Sequence, residues 1–189
     1  MDSGEKGNSC RYLIDGADRI ICVSGNWLAF AQRNEAAESC HPDRVINRSI
    51  WDFVDGIETT HLYELILEKV RSTDRSVRVP FRCDAPGTRR YLELLITPVQ
   101  RDFVEFVSAL LYEEPRDHVE LLASGVPRSE EFIRICSMCK KVELSKNSWV
   151  EIEEAIEALR LFDKTTLPQI THGLCHECFA YGMAEVEKL

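Results

Sequence analysis

Residues 76–112 read SVRVPFRCDAPGTRRYLELLITPVQRDFVEFVSALLY, and this stretch decides the fold. From Ser76 to Cys83, Val77, Val79, Phe81 and Cys83 alternate with Ser76, Arg78, Pro80 and Arg82, the period of an antiparallel strand with one buried face. Ala85-Pro86-Gly87 supplies a turn. Tyr91 to Val99 and Phe103 to Tyr112 are longer and more apolar, joined by the short polar link Gln100 to Asp102. The stretch predicts a three-strand meander.

Upstream, Arg19 to Ser24 (RIICVS) is a β-branched run, Gly25-Asn26 a turn signal and Trp27 to Ala31 (WLAFA) a second apolar run, which together predict a hairpin. Asn34 is placed to cap a short helix through Ser39, and Ser49 another carrying Ile50, Trp51, Phe53 and Val54. Thr59 or Thr60 opens a longer helix, ending near Ser72, in which Leu62, Leu65, Ile66 and Val70 share a face. Two strands, a helical excursion and three strands cannot wind into a parallel sheet. The order predicts an α+β domain, a five-stranded antiparallel sheet with helices on one face.

The expected division is a flexible segment 1–17, a sheet domain 18–113, a linker 114–129 marked by Pro115, Gly125 and Pro127, in which Val119, Leu121 and Leu122 could dock on the sheet, and a cysteine-rich module 130–189. In that module Ser148 and Glu151 have capping-box spacing ahead of a helix in which Trp149, Ile152, Ile156 and Leu159 share a face. Phe179, Met183 and Val186 suggest a terminal helix.

With 23 Lys and Arg against 32 Asp and Glu, the chain carries −9, and both sides of Pro115 are net acidic. That balance argues against nonspecific binding to nucleic acid or to an anionic membrane. No apolar run approaches the roughly 20 residues of a membrane span, and residues 1–20 lack a signal-peptide pattern, so a cytoplasmic protein is expected.

Eight cysteines are the most informative count. Cys10, Cys22, Cys40 and Cys83 are scattered, whereas Cys136/Cys139 and Cys175/Cys178 form two C-x2-C pairs. Each two-residue turn points both sulfurs to one side, so four thiolates can surround one tetrahedral ion. A closed all-sulfur shell suits a structural zinc, one per chain, and leaves no open position for catalysis. Rubredoxin-like iron uses the same ligands. A dithiol redox pair would call for a βαβ setting, which the pattern lacks. His172 and His176 flank the second pair in THGLCHEC and are alternative ligands to a set that four cysteines already complete.

Residues 18–113 resemble a PAS domain in the order of the opening hairpin, the NEAAES helix, the RVINRSIWDFV segment before the long helix, and the closing three strands. Residues 134–178 resemble the zinc-binding segment that follows PAS domains in some bacterial signalling proteins, through ICSMCKKV, Trp149 and ITHGLCHECF. The two cover roughly three quarters of the chain. The second resemblance implies metal ligation by Cys136, Cys139, Cys175 and Cys178; the proline usual inside its second knuckle is His176 here.

A PAS fold implies a sensory or partner-binding module with a small-molecule cavity between sheet and helices. The lining expected from this sequence is Trp27, Phe30, Trp51, Phe53, Leu62, Leu65, Ile66, Phe81 and the inward residues of the last two strands, a set that would also serve simply as core. Light-sensing flavin relatives carry a cysteine where this chain has INRSIWDFV, which argues against flavin. Haem relatives place an axial histidine on the long helix, and His61 near its start is the candidate, although a lone histidine there is more often solvated. Arg71, Arg75, Arg78, Arg82, Arg89 and Arg90 form a basic cluster, read either as a solvated face or as a site for an anionic ligand or partner.

The reading is a noncatalytic signalling protein with output by protein contact to an unidentified partner, through dimerisation of the sheet face or helical docking, and the PAS resemblance suggests homodimers. The alternatives are a nucleic-acid-binding regulator using the zinc module, against which Glu151, Glu153, Glu154 and Glu157 weigh, and a haem-binding sensor. No nucleophile and base at a compelling spacing argues for an enzyme. Cys136→Ser is expected to unfold the C-terminal module and spare the sheet domain.

Overall fold

The computed structural model describes residues 9–24, 26–33, 37–100 and 102–189. A five-stranded antiparallel sheet runs in the order β2-β1-β5-β4-β3, with β1 Ser9–Ile14, β2 Ile20–Val23, β3 Val77–Arg82, β4 Thr88–Pro98 and β5 Val104–Pro115. The meander forms as the alternation predicts, Val79 pairing with Leu94 and Ile96 with Phe106. Between the hairpin and the meander lie α1 Asn26–Arg33, α2 Pro42–Val45, a 3-10 turn Ile50–Phe53 and α3 Ile57–Thr73. Ser49 caps the 3-10 turn, its Oγ accepting the Trp51 N–H.

The hairpin itself is displaced from its expected place. Its first strand is Ser9–Ile14, inside the segment 1–17 expected to be flexible, and Trp27 to Ala31 is helical rather than its second strand. Cys10 and Ile14 turn inward from an otherwise polar-looking stretch, and Tyr12 stacks on Phe106 at 4.6 Å and meets Trp27 edge-on at 5.8 Å. A five-residue apolar run such as WLAFA fits a strand or a helix equally well by period. Tertiary contact decides it, the Trp27 indole donating to the Cys40 carbonyl at 2.6 Å. The helix expected from Asn34 begins in residues outside those described.

Helix α3 roofs the inner face of the sheet, burying Leu62, Ile66, Leu67 and Val70 against Val79, Ile96, Val104 and Phe106. Each large aliphatic side chain so removed from water contributes about 1.5–3 kcal/mol, which is what holds an amphipathic helix on a sheet.

A second sheet runs β8-β7-β6-β9, with β6 Arg128–Cys136, β7 Val142–Ser145, β8 Ser148–Val150 and β9 Leu167–Gly173, and β6 and β9 are parallel. Helix α4 Ile152–Ala158 packs Ile152, Ala155 and Ile156 on Ile133, Ile135 and Val142. Ser148 lies in β8 instead of capping α4; Glu151 takes the cap position without a side-chain cap bond, because its carboxylate is drawn to Arg82. The segment 114–129 is no loose linker: it holds the end of β5, the buried Val119 and Leu121, and the start of β6. Helix α5 His176–Lys188 completes the chain and lies against α3 and β3. Among the described residues no helix is long and apolar enough to cross a membrane.

Candidate metal centre

Parallel pairing of β6 with β9 places Cys136 opposite Gly173. Both C-x2-C loops therefore leave the second sheet at the same end. The first loop is tight: the Cys136 N–H donates to the Lys141 carbonyl at 2.8 Å, and Lys140 turns the chain in the left-handed region at φ +63°. The second loop is the start of α5, where Cys175 is the N-cap and its sulfur accepts the Cys178 N–H at 3.4 Å.

The four sulfurs of Cys136, Cys139, Cys175 and Cys178 lie within 4.8 Å of one another. Cys139 and Cys175 are 3.7 Å apart. A tetrahedral ion with sulfurs at about 2.3 Å sets its ligands about 3.8 Å apart, whereas a disulfide would close them to about 2.05 Å, so the set has the dimensions of a metal shell. Cys136 and Cys175 are buried, and Cys139 and Cys178 half-buried. The Cys136 thiol is driven well below its ordinary range by hydrogen bonds from Cys139 and Cys178, with the Cys175 N–H adding a contact at 3.4 Å; Cys139 and Cys178 are pushed up in turn.

The centre is tied into the first sheet's core. Cys136, Met138, Cys175 and Val186 belong to the same apolar cluster as Leu62 and Phe106. The Arg82 N–H on the outer edge of β3 donates to the Met138 carbonyl at 2.7 Å, and buried Thr59 of α3 meets Ser137 through their hydroxyls at 3.0 Å. Burial pushes the Lys140 ammonium down, and its Nζ donates to the Ser137 carbonyl at 3.0 Å.

Neither flanking histidine joins the sulfurs. His172 faces Asp55 at 3.7 Å, its pKa lowered by burial and by Lys140, and His176 is exposed at the first turn of α5. His61, the haem candidate, is exposed in the first turns of α3. Of the expected cavity lining, Leu62 and Ile66 are fully buried, Trp27, Trp51, Leu65 and Phe81 pack on the core, and Phe53 is exposed beneath the Arg48 guanidinium.

The arginines of the cluster find partners within the chain. Arg71 binds Asp18 at 2.7 Å, Arg78 pairs with Glu93, Arg90 lies 3.6 Å from Glu113, and Arg75 donates to the Leu189 carbonyl. Arg82, taken from the alternation as outward-facing, is buried between Asp84 and Glu151, and Arg89 reaches Glu114 and Glu153. Arg116, which no sequence signal singled out, is 96% buried by side-chain area, its exposure being 4%, and binds Asp84 at 2.9 Å. These arginines sew the first sheet to α4.

No known protein family matches the chain, and no curated protein does. Among solved structures, a domain of an HTR-like protein from Haloarcula marismortui ATCC 43049 aligns at 16% identity over 55% of this chain and 98% of that one, with a TM-score of 0.36.

Proposed function

We propose that the chain is a noncatalytic sensory or signalling protein, a PAS-like unit whose output is a contact with another protein and whose C-terminal module is held by one structural zinc. The observation that carries this reading is the double role of α3. Its inner face roofs the sheet through Leu62, Ile66 and Val70, while its first turn touches the first cysteine loop through Thr59 and Ser137. A small molecule held under α3 would be felt at the metal module.

The helical excursion and the meander follow the order on which the PAS resemblance rests, and the opening hairpin is supplied by Ser9–Ile14 and Ile20–Val23. Cys136, Cys139, Cys175 and Cys178 would hold the ion, and a four-thiolate shell supplies structural cross-linking with no vacant position for a reacting water. Exposed Leu111 and Tyr112 on β5 are offered as part of a homodimer surface, with the protein placed in the cytoplasm, where thiols stay reduced.

Native mass spectrometry of the purified chain tests all three elements together. One zinc per chain, a dimer, and a ligand mass retained or restored by addition are expected. Intact thiols without zinc would overturn the metal assignment, and a monomer would overturn the dimer.

A further inference from the structure

Where the first sheet meets α4, three arginines from different strands converge: Arg82 on β3, Arg89 on β4 and Arg116 just past β5. Facing them are Asp84 and Glu114 from the sheet side and Glu151 and Glu153 from α4. Arg82 is well served, by Asp84 and by Glu151 at 2.9 Å. Arg89 and Arg116 are served only in part, Arg89 Nη1 donating to Glu114 at 3.4 Å and Arg116 Nη1 to Asp84 at 2.9 Å. Glu153 offers them a single oxygen, Oε1, at 2.7 Å from Arg89 and 3.6 Å from Arg116 Nε.

The consequence is a cluster of buried polar atoms without partners: Arg89 Nε, Arg116 Nε, Arg116 Nη2 and Glu153 Oε2. Each such atom has given up its hydrogen bonds to water without replacing them, a cost greatest for charged groups. On the side facing α4 the two guanidinium groups share the single Glu153 oxygen, a mismatch in number and geometry, because each fork presents parallel N–H groups suited to two oxygens. Consistent with incomplete compensation, burial holds the Arg116 guanidinium below its ordinary pKa.

We propose that the Arg89–Arg116 pair is a binding site for a phosphate-class oxyanion, which Glu153 occupies in the resting chain. A phosphoryl group has three or four acceptor oxygens and can satisfy both forks at once, which one carboxylate oxygen cannot. Asp84 remains on Arg82 and Arg116, and Glu114 on Arg89, so both guanidinium groups of the site stay anchored. Glu153 is 38% exposed at its side chain, so it can rotate into solvent without disturbing Ile152, Ala155 or Ile156 beneath α4. Binding would release the Glu153 strap between sheet and C-terminal module, and this inference does not depend on the metal.

Titration with inorganic phosphate, followed by calorimetry and by thermal unfolding against chloride of equal ionic strength, tests the site in the full chain. The variant E153Q keeps an oxygen for Arg89 and so preserves the fold, yet competes less well. It should bind phosphate about tenfold more tightly than the unaltered chain, the equivalent of one charge-assisted hydrogen bond. Its melting temperature should rise in phosphate and not in chloride, and E153Q/R116M should lose the response. A folded E153Q that melts alike in both salts and gives no binding heat overturns the proposal, as does a response that survives R116M.

Discussion

Gly182 of α5 lies directly on Leu62 of α3, so close that a β-carbon at 182 would overlap the leucine methyl groups. The contact joins the helix that opens on Cys175 and Cys178 to the helix that roofs the sheet. An alanine inside a helix is ordinarily worth up to about 1 kcal/mol over glycine. Here G182A should instead lower the urea midpoint, because overpacking costs about 1–3 kcal/mol. A midpoint that rises would show that α5 does not rest on Leu62 in solution.

C136S should lose the ion and undock α5, and it should also weaken the first sheet. Cys136 and Cys175 belong to the core that contains Leu62 and Phe106, so the sheet domain is not insulated from the metal as the sequence suggested. Hydrogen exchange should show α5 amides unprotected and β4 and β5 amides protected but faster. Unchanged exchange in β4 and β5 would contradict the shared core.

Arg82 and Arg78 sit on one strand and should behave oppositely. Arg82 is 9% exposed and its partner Asp84 1%, whereas Arg78 is 63% exposed beside Glu93. Replacing Arg82 by Met strips a buried carboxylate of one partner and should cost about 3 kcal/mol or more. R78M should cost under about 1 kcal/mol. Denaturant midpoints of the two variants decide it, and equal costs would refute the distinction.

Acid should loosen the junction between α3 and the second sheet. The hydrogen bond from Arg134 holds the Glu58 carboxyl below its ordinary 4.5. A carboxyl whose folded pKa is depressed contributes stability that is whole above the unfolded value and is lost as pH falls through the folded one. The stability difference between the unaltered chain and E58Q should therefore be constant above about pH 5 and shrink below about 4.5. A difference that stays constant down to pH 3 would mean the pair contributes nothing in solution.

Much of this architecture is legible in the chain because the physics is local. Val77, Val79 and Phe81 keep strand period, Leu62, Ile66 and Val70 keep helix period, and C-x2-C loops orient their own sulfurs. What escapes is decided elsewhere. Ser9–Ile14 is a strand because Val104–Pro115 offers it an edge, which nothing within SCRYLI announces. Ser148 satisfies a capping-box pattern and is nevertheless a strand residue, because β7 pairs with it across Ser145. Arg82 breaks the inward alternation of its strand, and only the approach of Glu151, distant in sequence, explains why a cation is tolerated there.

The in-register pairing of Cys136 with Gly173 carries a kinetic consequence. Parallel neighbours cannot be joined by a tight turn, so β7, β8 and α4 are all threaded between the two cysteine pairs. Such long-range pairing forms slowly, after the loop entropy has been met. An ion that needs all four sulfurs can be captured only by a chain that has already made this crossover without slippage. A metal held by all four cysteines would thereby proofread the strand register, and a misthreaded chain would stay metal-free.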